Sequence, residues 1–193
     1  LYEMEDNVKV NTLMKKGFFI EAQSVAAAAN FPKDIIAEIN KDSADKLYKQ
    51  KNYDEAFIQW KKACDVCPPT AREGIYSDGV RFLKNELKKS EDEARKAVLT
   101  DSIFMLYDQR MELFPATKKR PNNRCRILAY KASDHYRLRK DDPATANAMF
   151  KESIECLGAS SSPATLSTYY VTSFYAMKKL DGDSAKAKLG EML

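Results

Sequence analysis

Apolar residues recur along most of this chain at intervals of three and four, the period of an α-helix, and the alternation of a β-strand is almost absent. The clearest stretch runs from Ala44 to Pro68. Ala44 and Leu47 lie one turn apart, the polar Lys49-Gln-Lys-Asn52 interrupts the period as a turn, and Tyr53, Ala56, Trp60 and Ala63 then resume it. Large and small residues interleaved in this way predict a helix that interlocks with a neighbour. Pro68 closes the pair, because proline cannot continue a helix.

The flanking segments extend the pattern. Residues 1–40 predict two helices: Val10, Leu13, Met14, Phe18, Ile20 and Ala22 lead to a strip of small residues, Ala26 to Ala29, and after a break at Asn30-Phe-Pro32 a second helix opens at Asp34 and runs through Ile39 toward the first pair. From Thr70 to Lys89, Ile75, Tyr76, Gly79, Phe82, Leu83 and Leu87 keep helical spacing, with Gly79 where two helices approach closely. Ser90-Glu-Asp-Glu93 reads as a capping box. It opens a helix of about six turns through Ala94, Ala97, Val98, Met105, Tyr107, Met111 and Phe114 to Pro115.

A third pair follows, with Ile127, Leu128, Ala132, Tyr136 and Leu138, a turn at Lys140-Asp-Asp-Pro143, then Ala146, Met149, Phe150, Ile154 and Leu157 before Gly158. The spacing of Ala146, Phe150 and Ser153 repeats that of Ala56, Trp60 and Ala63, the strongest sign of internal repetition. Ser160-Ser-Ser-Pro163 opens a fourth unit from Leu166 to Leu180, which turns at Asp181-Gly-Asp183 into a short helix from Ser184 to Leu193. The predicted organisation is an N-terminal helical segment, 1–40, followed by units at 41–68, 70–115, 124–158 and 163–193.

The stretch beginning at Ala44 resembles the tetratricopeptide consensus of about 34 residues per repeat. Ala44, Tyr53, Ala56, Trp60, Ala63 and Pro68 stand at its signature positions, and Leu47 stands where an aromatic is common. Lys49 to Leu180 also resembles a tetratricopeptide family abundant in Bacteroidetes, through Lys49-Gln-Lys-Asn-Tyr-Asp-Glu-Ala56, Trp60, Cys67-Pro68, Gly79, Leu106-Tyr-Asp-Gln-Arg110 with Phe114, and Tyr169, Ala176 and Lys178. The resemblance implies an all-α solenoid of antiparallel helix pairs, a protein-interaction scaffold with no enzymatic activity and no cofactor. It also implies export to the periplasm or beyond; without it the expected compartment is the cytoplasm. A second resemblance covers roughly the first 63 residues, through Leu1-Tyr2, Leu13-Met-Lys-Lys-Gly-Phe-Phe19, Ala22, Asp34-Ile-Ile-Ala-Glu-Ile39, Leu47-Tyr48 and Tyr53-Asp54. It is similar to the helical solenoid of a eukaryotic vacuolar-sorting tethering subunit, and vesicle tethering is the alternative it implies.

With 193 residues, 44% of them apolar and 31% charged, the chain can bury one ordinary core or a short solenoid. No apolar run approaches the roughly 20 residues of a membrane span. The first residues lack the basic start and apolar centre of a signal peptide, and a beginning at Leu1 reads as a fragment or a processed product.

Candidate chemistry is sparse. The sequence has no Gly-rich phosphate loop, nucleophile elbow or His-Glu-x-x-His motif, and its single histidine, His135, is expected to pack between helices. Asp101 and Asp108 share a helix face and are expected to form surface ion pairs with Lys96 or Arg110. Cys64 and Cys67 form a Cys-x-x-Cys pair at the end of a helix, where the dipole does not favour a thiolate. Cys125 and Cys156 are isolated, so all four cysteines are expected to be small packed residues, with Cys64 and Cys67 reduced and free of metal.

Charge placement changes the picture more. Lys118, Lys119, Arg120, Arg124, Arg126, Lys131, Arg137, Arg139 and Lys140 are opposed in their span only by Asp134, whereas the whole chain carries a net charge of +4. A basic helix and loop of this kind reads as a solvated face or as a docking patch for an acidic peptide or nucleic acid. In tetratricopeptide solenoids the first helix of each unit lines the concave surface. By position this puts Lys41, Asp45, Tyr48 and Lys49 from the first unit in the groove, and Arg126, Tyr130, Asp134 and Arg137 from the third. Arg126, Tyr130, Asp134 and Arg137 recur every three or four residues and so share a face. The expected partner is a protein or peptide, acidic for preference. With only Tyr130 and Tyr136 available for base stacking, a basic RNA-binding repeat ranks behind it.

Overall fold

A computed structural model of the chain describes residues 4–16, 18–66 and 72–177, together with the single positions Gly182 and Gly190. Among the described residues the helices are α1 (Met4–Lys16), α2 (Phe19–Ala28), α3 (Lys33–Lys49), α4 (Tyr53–Val66), α5 (Gly74–Lys89), α6 (Glu93–Leu113), α7 (Asn123–Leu138), α8 (Pro143–Leu157) and α9 (Pro163–Met177), with one 3-10 turn at Gly158–Ser160. The described fold is all-α, and none of these helices is long and apolar enough to cross a membrane. The chain divides into two compact units, Leu1–Leu106 and Tyr107–Leu193, the division falling within α6. Pro68, Cys67 and the short helix expected from Ser184 to Leu193 lie outside the described residues.

In the first unit, α1 packs on α2, α2 on α3, α3 on α4 and α4 on α5. The single helix expected up to Ala29 is broken after Lys16 into α1 and α2. The N–H of Phe18 donates to the Leu13 carbonyl (3.0 Å), the six-to-one bond that closes a helix end, and the basic pair Lys15-Lys16 suits that end of the dipole. The same closure recurs twice. Phe31 bonds back to Ala26 (3.0 Å) with Asn30 at φ 52°, and Asn52 bonds back to Leu47 (2.9 Å) with Lys51 at φ 65°. Asparagine visits this left-handed region readily. Lysine does so at a cost of about 1 kcal/mol, which the turn between α3 and α4 absorbs.

The stripe read from the sequence faces inward. Ala44, Leu47, Ala56, Trp60 and Ala63 are all buried. Trp60 stacks on Phe57 with ring centroids 5.7 Å apart, leans on Phe82 at 6.0 Å, and donates its indole N–H to the Ile75 carbonyl at 2.9 Å. Gly79 lies directly beneath the indole. A Cβ at that position would stand 2.9 Å from Cε2 of Trp60 and 2.8 Å from a Leu106 methyl, so the close approach requires glycine. α6 starts on a different cap from the one expected: Asp92, not Ser90, accepts the Ala94 N–H (2.9 Å), and Ser90 ends α5. Asp92 also accepts the Lys96 N–H through its carbonyl, so it stands at the cap and the helix starts at Glu93. The apolar period through α6 is also only partly buried. Ile103, Phe104, Leu106, Tyr107 and Met111 are inside, whereas Val98 and Met105 are exposed.

In the second unit α7 packs on α8 and α8 on α9, with a smaller contact between α7 and α9. Ala132, Ala146 and Phe150 are fully buried against one another. Ser153 at the third repeat position is buried as well, its hydroxyl donating to the Cys125 carbonyl (2.7 Å). Asp142 caps α8 by accepting the Thr145 N–H (3.1 Å), with Pro143 at the first helical position, and Ser162 caps α9 through the Thr165 N–H (3.1 Å).

The cysteines depart from expectation. Cys125 on α7 and Cys156 on α8 form a disulfide, Cα atoms 6.2 Å apart across 31 residues of sequence, and Cys64 is exposed instead of packed. The two half-cystines looked isolated because only the pairing of α7 with α8 brings them together.

Two outcomes test this packing. Gly79→Ala should destabilise by about 1–3 kcal/mol through overpacking and Trp60→Ala by about 3–5 kcal/mol. In the Trp60→Ala background the Gly79→Ala penalty should largely disappear, because the Leu106 methyl that remains is the movable end of a side chain and alanine is the better helix former by about 1 kcal/mol. Denaturant midpoints of the four proteins give the cycle, and an equal Gly79→Ala penalty in both backgrounds would show that the indole is not what the glycine accommodates. Replacing Cys125 and Cys156 by serine should cost the second unit about 3–4 kcal/mol, the loop-closure term for a bridge of this span. Identical denaturation with and without reductant would rule the bond out.

Candidate functional site

Two groups of side chains were expected to form a binding surface, and each is placed in its own unit. In the first unit, Lys41, Asp45, Tyr48 and Lys49 are all on α3. Lys41 and Asp45 form a direct ion pair at 2.9 Å and are drawn into a network with α5: Arg81 reaches Asp45 at 2.8 Å and Asp78 at 3.3 Å, and Lys41 lies 3.6 Å from Asp78. The Arg81 guanidinium also sits 4.2 Å from the centre of the Tyr48 ring, which packs edge-on against Tyr53 and Phe82. Lys49 is exposed at the end of α3 and is not part of the network.

Two cations and two carboxylates in one cluster largely neutralise each other, and each shifts the others' pKa values. Burial raises the Asp45 carboxyl, but hydrogen bonds from Lys41 and Arg81 outweigh this and hold it below its ordinary value. For Asp78, burial and then the Asp45 charge push the carboxyl upward. Burial lowers Lys41, yet its bond to Asp45 and the charges of Asp45, Asp78 and Asp42 leave it above its usual range. Asp78 and Arg81 were not anticipated as part of this group. The signal available was a charged pair three residues apart, flanking the apolar stripe of α5, but its partners are on α3 and no local spacing reveals them.

In the second unit, Arg126, Tyr130 and Arg137 on α7 are exposed, Tyr130 by 57%. Asp134, expected beside them on the open face, is buried and accepts a hydrogen bond from the Tyr107 hydroxyl at 2.8 Å. It sits at the edge of that face turned toward α6, so it anchors the helix instead of lining a surface. Burial and the Asp134 charge push the Tyr107 hydroxyl well above its ordinary pKa, so it stays protonated and donates.

Part of the basic excess is met by acids from outside the span. Arg124 pairs with Glu152 at 2.8 Å, and Lys131 pairs with Asp108, which corrects the expected partners of that aspartate; Lys96 pairs with Glu93. Arg126, Arg137 and Lys140 have no carboxylate partner among the described residues. Arg137 and Lys140 line a cavity of about 540 Å³ together with Tyr136, Pro143 and Tyr175. Pro143 and Tyr175 join this wall from α8 and α9, a convergence that the sequence of α7 alone does not disclose. His135, beside Tyr136 on the same helix, is buried as expected, and burial lowers its pKa. In the first unit a second cavity of about 370 Å³ opens between α1 and α3, floored by Val10, Met14, Phe31 and Ile39.

No protein-family model matches the sequence, and no curated protein matches it.

The α3–α5 network yields a pH-dependent outcome. Because the Asp45 carboxyl is held below its ordinary 3.8, its contribution to stability is complete above that pH and is lost as pH falls through the lowered folded value. Asp45→Asn should therefore destabilise the first unit by about 1 kcal/mol at neutral pH, and the gap to wild type should close below about pH 4. Thermal melts from pH 7 to pH 3 measure the difference, and a gap independent of pH would mean that the charge of Asp45 is not what the network uses.

Proposed function

We propose that this chain is a non-enzymatic, tetratricopeptide-like scaffold of helix pairs whose second unit holds an acidic peptide along α7. The observation that carries this reading is the set of cations left over after internal pairing. Arg126, Arg137 and Lys140 have no carboxylate partner among the described residues, and they accompany the exposed Tyr130 and the cavity at Tyr136, Pro143 and Tyr175. From Arg126 to Arg137 the helix rises about 16 Å, which matches roughly five residues of an extended peptide. Carboxylates of such a peptide meet the arginines, and an aromatic or apolar side chain enters the cavity, whose tyrosines offer ring faces to pack on.

The first unit contributes differently. Lys41 and Asp45 satisfy each other and their α5 partners, so the pull of an acidic ligand on that surface is weak. Tyr48 is engaged with Arg81, which leaves Lys49 as the expected contact on α3 that is outside the network. The Cys125–Cys156 bond supports an oxidising compartment, in line with the export that the Bacteroidetes resemblance implies.

A fluorescent eight-residue peptide of aspartate and glutamate with one central phenylalanine provides the test. Binding by anisotropy should weaken about tenfold or more when Arg126, Tyr130 and Arg137 are changed together to alanine, with unchanged helicity. Its affinity should fall only modestly with salt. Single-stranded RNA of the same charge is the counter-probe: tighter RNA binding with a steep linear log–log salt dependence would replace the peptide reading with a nucleic-acid one. Equal peptide binding by wild type and the triple variant would leave α7 a solvated face.

A further inference from the structure

The cavity at the end of α7 combines two chemistries in one lining. Tyr136, Pro143 and Tyr175 give it ring surfaces, and Arg137 and Lys140 stand among them. Neither cation has a carboxylate partner among the described residues, and none of the described residues that line the cavity is an acid. Asp141 and Asp142 follow Lys140 in sequence but are not in the lining, and Asp142 is engaged as the cap of α8, where it accepts the Thr145 N–H. Helix dipoles do not decide what binds here. The negative end of α7 lies by Arg137 and the positive end of α8 at Pro143, so the two offset each other and leave two full positive charges.

Each simple peptide side chain meets half of this lining. Phenylalanine covers the faces of Tyr136 and Tyr175 but brings no charge to Arg137 and Lys140. Aspartate or glutamate brings one negative charge and no ring. A ring that carries its own oxyanion meets both halves at once. A phosphate ester has a charge of about −1.5 to −2 at neutral pH, near the sum of the two cations. Its oxygens take paired hydrogen bonds from an arginine and the point charge of a lysine. At about 540 Å³ the cavity falls within the roughly 300–1,000 Å³ of small-ligand sites, with room for ring and ester together.

We propose that this cavity is a subsite for an aromatic ring bearing a phosphate or sulfate ester, as on phosphotyrosine or sulfotyrosine. The ring packs against Tyr136 and Tyr175, and the oxyanion is held by Arg137 and Lys140. The proposal deepens the acidic-peptide reading and rests on it for how the group arrives: the peptide follows α7 past Arg126 and Tyr130, and its modified residue turns into the cavity at the end.

Phenyl phosphate alone tests the cavity without a peptide. Its proton resonances should broaden in the presence of wild-type protein, and Lys140→Ala should weaken binding about tenfold or more. Inorganic phosphate, which has the charge without the ring, and benzyl alcohol, which has the ring without the charge, should each bind at least about tenfold more weakly. In the fluorescent peptide of aspartate and glutamate, changing the central phenylalanine to phosphotyrosine or sulfotyrosine should tighten binding about tenfold or more. Phosphoserine at the same place should gain less, Lys140→Ala should remove most of the ester's gain, and the larger of the two gains identifies the ester. No binding of phenyl phosphate, or binding that Lys140→Ala leaves unchanged, overturns the proposal. A phenylalanine peptide that binds with no gain from either ester overturns the subsite and leaves the peptide reading standing, whereas phenyl phosphate bound at Lys140 with no peptide bound overturns the peptide reading and leaves the subsite.

Discussion

The indole of Trp60 resting on the bare backbone of Gly79 is the contact from which the arrangement of the first unit follows. A side chain of that size can be buried between two helices only if one of them presents no Cβ beneath it. The N–H of the ring must also find an acceptor, and the Ile75 carbonyl one turn earlier on α5 supplies it. Together the steric and polar requirements allow α5 one register against α4. With α3 packed on α4 as well, that register brings Asp78 and Arg81 opposite Lys41 and Asp45. The charge network is thus a consequence of how a tryptophan is accommodated.

The second unit solves the same problem with different chemistry. Phe150 occupies the position of Trp60 in the repeated spacing and is fully buried against Ala132 and Ala146. A phenyl ring has no N–H to satisfy, so no acceptor fixes the register from the ring itself. That role passes to Ser153, whose hydroxyl bonds the Cys125 carbonyl, and to the covalent bond between Cys125 and Cys156. Further along, Asn147 replaces apolar packing by three hydrogen bonds to α9. Because a buried amide must be satisfied, it draws the hydroxyl face of α9 inward, and the aromatic face has nowhere to go but out.

Periodicity made the helices and most of the buried stripe legible, since Ala44, Ala56, Trp60, Ala63, Gly79, Ala146 and Phe150 reach the core by spacing and size alone. The features that escaped are those decided by a partner distant in sequence. Asp134 lies in register with Arg126, Tyr130 and Arg137, but a tyrosine hydroxyl 27 residues away turns it into an internal anchor. Cys125 and Cys156 are separated by a full helix pair. The inward turn of Thr172 and Ser173 reverses what hydrophobicity predicts for α9, because one asparagine on α8 outweighs the preference of the aromatic side chains. Local misreadings had a simpler cause: near a helix start several side chains can cap, and Asp92, accepting the Ala94 N–H, takes the capping role expected of Ser90.

The two units use their charges in opposite ways, and that contrast bears on where a ligand gains most. Between α3 and α5, Lys41 and Arg81 face Asp45 and Asp78 within a partly dehydrated cluster, so a carboxylate arriving from solvent must compete with those aspartates for the same guanidinium and ammonium groups. Around α7, glutamate and aspartate from α8 and α6 meet Arg124 and Lys131, but Arg126, Arg137 and Lys140 have no carboxylate partner among the described residues. An incoming carboxylate there gains a charge-assisted bond without breaking one. Electrostatic attraction depends on charge left over after internal pairing, not on charge counted along the chain. The first unit's network therefore holds helices together, while part of the excess read from the sequence stays unneutralised along α7, where Arg137 and Lys140 line a cavity.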